Sequence, residues 1–257
     1  MAAYDTILYD KFGHRGTITL NRPEQRNGIT EVMLAELYEA LKDAAADKSL
    51  RVLVLKGAGA DFCPGADLKH YASGKGGKSN PKAFHVSTLL HEAPVVTIAA
   101  IRGACAGAGL GWAAACDLRV CDSTAKFNSA FLGVGISGDM GGPWTLSRIL
   151  GAAKARELYF LPGKFGADEA ERIGLVNRCW RPDEFEAQLD EVVTRLTNSA
   201  PIALKSMKAN FLDAERMGLA DFIDVETERH GVSGATEDSR EAFKAFVEKR
   251  TPVFHGR

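Results

Sequence analysis

The stretch from residue 94 to 115, PVVTIAAIRGACAGAGLGWAAA, is the most apolar in the chain, yet Arg102 and four glycines interrupt it. A membrane-spanning helix needs about 18 or more apolar residues in an unbroken run, so this tract does not qualify. It reads instead as a buried strand over residues 95–101, a glycine-rich turn over 103–111 and a helix over 110–116. A strand buried on both faces calls for a sheet covered by helices, and the rest of the chain supplies the parts. Residues 52–55 form a second continuous apolar strand, and residues 30–46 carry Val32, Met33, Leu37, Leu41 and Ala45 at helical spacing, with Thr30 as a candidate N-cap. The expected class is α/β.

Residues 6–9 and 17–20 read as strands, as do residues 118–121. Residues 71–82, rich in glycine and lysine, read as a mobile loop. Helices are expected over 83–91, 143–150, 154–161, 167–173 and 184–198, and nearly everything after Pro201 reads as helix. That change of character divides the chain into a core, 1–198, and a helical C-terminal region, 199–257.

Charge and cysteine content narrow the function classes. Lys plus Arg number 32 and Asp plus Glu 33, so the chain has no general attraction to nucleic acid or an anionic membrane. Five cysteines without a CxxC pair argue against a disulfide framework and for a reducing compartment. The first residues show no signal-peptide pattern, and a cytoplasmic protein is expected.

Several motifs fail on inspection. Gly77-Lys78-Ser79 lacks the glycine five positions upstream that a phosphate loop needs, since Ala72 stands there. Gly107, Gly109 and Gly111 give GxGxG rather than the dinucleotide spacing. The histidines show no metal-ligand spacing, and Ser137 lies in GISGD rather than a nucleophile elbow.

Two segments survive: FCPGADLK (62–69) and IAAIRGACAGAGLG (98–111), the latter followed by Cys116-Asp117. Each follows a buried strand and uses small residues that expose backbone N–H groups. Two such turns, converging, would bind an oxyanion; tight helix–strand packing accounts for the same residues equally well. Together with ITLNRPEQRNGIT (18–30), GISGDMGG (135–142), ADEAERIGLVN (167–177) and AFVEKRTPVF (245–254), they resemble the crotonase (enoyl-CoA hydratase/isomerase) superfamily over nearly the whole chain. The resemblance implies a spiral of ββα units followed by C-terminal helices that assemble trimers or dimers of trimers. It implies an acyl-CoA thioester substrate and no cofactor beyond the coenzyme A that the substrate carries. By motif position the enolate-stabilising amides would be those of Ala66 and Ala108, flanked by Gly65, Asp67 and Gly107. Arg26 and Lys69 match basic positions near the CoA phosphates, and Phe246 and Lys249 fall in the motif that reaches CoA on a neighbouring subunit.

One departure from the family matters. The two glutamates that handle water and proton in its hydratases are replaced here by Gly111 and Phe131, neither of which can carry a proton. Asp139 remains. An acid there resembles those of family members that isomerise dienoyl or ring-modified acyl-CoAs, and also the nucleophile of the family's 4-chlorobenzoyl-CoA dehalogenase. It is also placed to cap the helix that follows. The expected activity is therefore of the hydratase/isomerase type, a lyase or isomerase acting on an unsaturated straight or cyclic acyl-CoA, with Asp139 moving the proton. The alternatives are an aromatic acyl-CoA dehalogenase-like or hydrolytic enzyme with Asp139 as nucleophile, and a catalytically silent acyl-CoA-binding scaffold. Phe62, Phe84, Trp112, Phe127, Phe131 and Trp144 are candidates to line an acyl pocket, Phe127 and Trp144 fitting ordinary core better, and His85 is a candidate to orient water.

Overall fold

The computed structural model describes residues 4–74 and 76–257; residues 1–3 and Lys75, which fall in the leader reading and the glycine–lysine loop, lie outside the described residues. The chain opens with a hairpin of β1 (Ile7–Phe12) and β2 (Arg15–Leu20), then α1 (Glu31–Ala46), whose N-cap Thr30 accepts the Met33 amide. β3 (Val52–Gly57), α2 (Leu68–Ala72), α3 (Val86–Glu92) and β4 (Val96–Ile101) follow. Next come β5 (Ala104–Ala106), α4 (Ala108–Ala115), β6 (Leu118–Asp122) and β7 (Lys126–Asn128). After α5 (Gly142–Leu150), α6 (Ala152–Phe160), β8 (Phe165–Gly166), α7 (Ala167–Arg172) and β9 (Arg178–Trp180), the rest is helical: α8 (Phe185–Thr197), α9 (Pro201–Ala214), α10 (Leu219–Gly234) and α11 (Glu237–Glu248). Among the described residues no helix is long and apolar enough to cross a membrane.

The main sheet runs β1-β2-β3-β4-β6-β9, antiparallel at the hairpin and parallel beyond it. Parallel strands covered on both sides have no solvent face, so β3 and β4 are continuously apolar. Leu53, Leu55, Ala99 and Ile101 face α1, α3 and α4 in the larger core. Val52, Val54, Ile98 and Ala100 face the opposite way, onto Phe185, Leu189 and Val193 of α8.

A second sheet, β5-β7-β8, was not expected from the sequence. Its strands span two or three residues, too few for an alternation to show. β5 lies inside the glycine-rich turn, and its position sets the site. Phe62 donates its amide to the Arg102 carbonyl (2.7 Å), Cys63 donates to Ala104 (2.8 Å), and Ala106 donates back to Cys63 (2.9 Å). The two surviving motifs are thus stitched together along their backbones.

Asn27, fully buried with φ +61°, holds the preceding turn. Its amide group donates to the carbonyls of Ala58 (2.9 Å) and Asp61 (2.7 Å), and its oxygen accepts from the Arg22 amide (2.9 Å). Alanine would lose three hydrogen bonds, leave two part-buried carbonyls without this donor and keep a left-handed backbone that costs it about 1–2 kcal/mol. Asn27→Ala is expected to lower stability by about 3 kcal/mol, and thermal denaturation would register it as a fall of roughly 6–12 °C.

At the other end, Lys208 of α9, buried, donates to Asp117 (2.6 Å), which also accepts from the amide of Thr97 (2.8 Å). This ties the C-terminal helices to the ends of β4 and β6. Asp238 accepts the amides of His255 (2.7 Å) and Gly256 (2.8 Å), folding the tail back onto α11.

Candidate active site

Ala66 and Ala108 lie in two segments that pack on one another. Ile29 donates to the Gly65 carbonyl and accepts from the Asp67 amide, both at 2.9 Å. In that parallel bridge the amide of Ala66 faces away from Ile29, and the residue itself is exposed. Ala108 is the first residue of α4, two residues earlier than the helix start expected from sequence. The first amide bonded within α4 is that of Gly111, to the Gly107 carbonyl (3.1 Å), so the Ala108 amide belongs to the unpaired first turn. Gly107 makes this possible with φ +53° and ψ −127°, a conformation L side chains avoid. Ala108 has no positive φ, so alanine there costs the backbone nothing. A Cβ on Gly65 would stand 3.1 Å from the Ala106 carbonyl oxygen and 3.6 Å from the Ala108 nitrogen. The turn at Gly65 thus packs against the first turn of α4, whose unpaired amides and helix N-terminus suit a developing negative charge.

Phe131 lies beside this place: its ring edge is 3.8 Å from where a Gly107 Cβ would be. Tyr159 of α6 stacks on it, centroids 6.0 Å apart and 26° between planes. The Tyr159 ring also runs along the loop that carries Asp139, within 3.4 Å of a Cβ built on Gly138, and its hydroxyl would overlap one on Gly142. Asp139 is half-buried, with Oδ1 fully enclosed and without a hydrogen-bond partner among the described residues. Burial raises its pKa above the usual carboxylate range. Burial, reinforced by the charge of Asp139, pushes the Tyr159 phenol up to about 12. Tyr71 of α2 is also raised, chiefly by burial, with Asp139 among the carboxylates acting on it. Asp139 does not cap α5: the N-cap is Gly141, and no side chain accepts there. Its buried oxygen is unspent.

Gly111, where family hydratases have a glutamate, has no room for one. A Cβ there would be 2.7 Å from the Met140 Cβ and 3.3 Å from its carbonyl oxygen. Met140 is buried with φ +54°. The loop that presents Asp139 thus occupies the space the missing acid would need.

Other expected residues find different places. Asp67 caps α2, accepting from the His70 amide (3.0 Å), and pairs with Arg22 (3.0 Å), so its carboxylate is engaged in structure rather than free for substrate. Trp112 does not line the site: every residue of α4 is buried, and its ring lies wholly in the core with Phe62 and Phe127. Trp144, which fitted core better, is 43% exposed, as is Phe84 at 42%. Arg26, exposed, pairs with Asp61 (2.7 Å), and Lys69 is exposed on α2. Phe246, 86% exposed, and Lys249, the left-handed C-cap of α11, stand clear of the chain's own core. His85 is exposed and contacts the Thr88 hydroxyl (3.2 Å). Cys63, enclosed behind the turns, has its thiol pushed up to about 12 by burial, which removes it as a nucleophile.

Sequence reasoning missed Tyr159, Tyr71 and Met140. Nothing in ARELYF marks a site residue, and Met140 lies between glycines in GISGDMGG without any signal of its own. Tyr159→Ala would strip the stack from Phe131 and one wall from the Asp139 loop. It is expected to cost about 2 kcal/mol of stability and to lower kcat by about tenfold, whereas Tyr159→Phe keeps both; melting curves and steady-state kinetics would show the split.

The chain and its fold match known proteins. Residues 16–257 match the family Enoyl-CoA hydratase/isomerase. The short-chain-enoyl-CoA hydratase of Clostridium acetobutylicum is 32% identical over 96% of each chain. The 1,2-epoxyphenylacetyl-CoA isomerase of Escherichia coli is 32% identical over 94% of this chain and 95% of its own. The crystal structure of an enoyl-CoA hydratase from Bacillus anthracis superposes with a TM-score of 0.89 at 29% identity, covering 98% of this chain and all of that one. The fold is that of the crotonase superfamily. The chain belongs to its enoyl-CoA hydratase/isomerase family, whose members are lyases and isomerases.

Proposed function

We infer that this enzyme acts on an unsaturated acyl-CoA by moving a proton along the acyl chain, with Asp139 as the carrier. The observation that carries this reading is the single desolvated carboxylate, Asp139, in a site whose glutamate positions hold Gly111 and Phe131.

The thioester oxygen would sit between the amides of Ala66 and Ala108. As a proton leaves the carbon α or γ to the carbonyl, negative charge moves onto that oxygen, and each amide strengthens its hold. One donor of this kind typically contributes about 3 kcal/mol to the transition state. Asp139 takes the proton as the C–H bond breaks. Asp139, only half-buried, exchanges that proton with solvent and then protonates the other end of the conjugated system, and the double bond shifts. A carboxylate whose pKa is raised by burial suits both halves of that exchange. Hydration would need a second acid or base to handle water, and isomerisation does not. Tyr159 and Phe131 give the acyl group an aromatic wall suited to flat or ring-containing groups. Lys69 is an exposed cation available to the CoA phosphates, and Arg26, also exposed, would have to leave Asp61 to join it. Exposed apolar residues on the C-terminal helices, Phe211, Leu219 and Phe243 among them, support association of copies through this region.

The same aromatic wall favours one other reading, in which Asp139 attacks a halogen-bearing ring carbon of an aromatic acyl-CoA, halide leaves, and water cleaves the resulting aryl ester to the hydroxylated ring and the free carboxylate. Turnover in heavy water and in oxygen-18 water separates the two. Proton transfer puts deuterium into the acyl chain and no heavy oxygen. The nucleophilic route leaves the acyl hydrogens alone, and its first turnover delivers an unlabelled carboxylate oxygen to the product. Absence of deuterium from the product would overturn the proton-transfer reading.

A further inference from the structure

Four of the five cysteines are buried, and Cys179 alone is part-exposed. It sits in the middle of β9, the edge strand of the main sheet, directly in register with Cys121 of β6. Both side chains lie on the face that carries the larger core, Cys121 wholly enclosed there and Cys179 packed at its margin. Register partners on neighbouring parallel strands point the same way. Such strands run about 4.8 Å apart, inside the roughly 4.4–6.8 Å between Cα atoms that a disulfide spans. The two thiols are in hydrogen-bonding contact, which favours ionisation of Cys179 and disfavours that of Cys121, so Cys121 donates and Cys179 accepts. Neither thiol has a part in the proton transfer above.

Burial raises the pKa of both thiols, that of Cys121 more strongly, and the carboxylates of Glu171, Asp168 and Asp122 raise Cys179 further. Cys179 is the more accessible of the two and the easier to ionise. The first attack on an oxidant therefore belongs to Cys179, and it is slow at neutral pH and quickens as pH rises.

We propose that Cys121 and Cys179 form a reversible disulfide, with a small-molecule disulfide as oxidant, and that this bond clasps the edge strand to the sheet. Cys179 loses its proton to solvent and its sulfur attacks one sulfur of the oxidant, whose S–S bond breaks to release one thiolate. Cys121 then gives up its proton and attacks the Cys179 sulfur; the Cys121–Cys179 bond forms and the second thiolate leaves. The two departing thiolates take up the two protons, so the protein is oxidised by two electrons and one small disulfide is reduced to two thiols. The chain between Cys121 and Cys179 carries Phe131, Asp139 and Tyr159, so the bond ties together the two ends of the segment that builds this side of the site. A cross-link of this kind restricts the unfolded chain more than it alters the folded one.

The test incubates the reduced, folded, full-length protein with glutathione disulfide at mildly alkaline pH. The expected product is lighter by about 2 Da, retains no glutathione and returns to its starting mass with dithiothreitol. Peptide mapping should join Cys121 to Cys179. The oxidised protein should melt roughly 5–10 °C above the reduced one. Cys179→Ser should show neither the mass loss nor the rise. A glutathione adduct that persists on Cys179, a bond joining any other pair of cysteines or two chains, or no reaction in the folded protein would overturn the inference. So would a Cys121–Cys179 bond that leaves the melting temperature unchanged or lowers it, since the strand would then gain nothing from it. The mapping and melting of the wild type decide the matter even if the variant does not fold.

Discussion

Replacing Asp139 by asparagine is expected to reduce turnover by about 10²–10⁴-fold, the range lost when a positioned acid–base group is removed. Binding of the substrate should change little, because in the proposed mode the thioester is held by main-chain amides that the substitution does not touch. The same variant should be more heat-stable than the wild type at neutral pH. Burial raises the folded-state pKa of Asp139 above the value it has in the unfolded chain. The folded state therefore binds the proton more tightly. The stability this lends is fully present below the unfolded pKa and is lost as pH rises through the folded one. At neutral pH the carboxylate is an enclosed charge with an unpaired oxygen, a burden that asparagine lightens. Melting curves at pH 3 and pH 7 should show a larger gain for the variant at the higher pH. In the wild type, kcat/KM should climb with pH through the same raised pKa and level off above it. A variant that turns over normally, or an activity that falls as the carboxylate ionises, would remove Asp139 from the mechanism.

The second large effect is expected from restoring the family's glutamate. Gly111→Glu places its Cβ against Met140 at 2.7 Å and puts a carboxylate among residues that are all buried. Overpacking alone costs about 1–3 kcal/mol, and the enclosed charge adds to it. A loss of about 3 kcal/mol or more is expected, seen as a fall in melting temperature of roughly 6–12 °C. Because Met140 neighbours Asp139, the displaced loop should also lower the native activity about 100-fold, without any gain in hydration of crotonyl-CoA. Adding Met140→Gly should recover part of the stability, since the side chain that collides is then absent. A stable and hydrating Gly111→Glu enzyme would mean the loop yields freely, and that its fit against Gly111 is not what excludes the second acid.

Much of the architecture could be read from the order of residues. β3 and β4 are continuous apolar runs because both of their faces are covered, and α1 announces itself through its stripe of leucines and the Thr30 cap. The short strands β5, β7, β8 and β9 left no trace, because two or three residues held by backbone hydrogen bonds leave no side-chain pattern. Ala66 and Ala108 drew attention as small residues after buried strands, although helix–strand packing accounts for such residues equally well. Asp67 and Trp112 misled for opposite reasons. A carboxylate within a functional motif also makes a good helix cap, and a tryptophan beside a site can face entirely inward. Tyr159 was hidden because its role depends on α6 crossing the Gly138–Gly142 loop, a contact between segments some twenty residues apart that no local spacing encodes.

The account is tested most directly by the crystal structure of Asp139→Asn bound to a slow unsaturated acyl-CoA. It predicts the thioester oxygen within about 2.7–3.1 Å of both the Ala66 and Ala108 nitrogens, the distance of a functioning oxyanion hole, with the acyl chain passing against residue 139. A thioester seated elsewhere, with those two nitrogens facing solvent or protein, would contradict it.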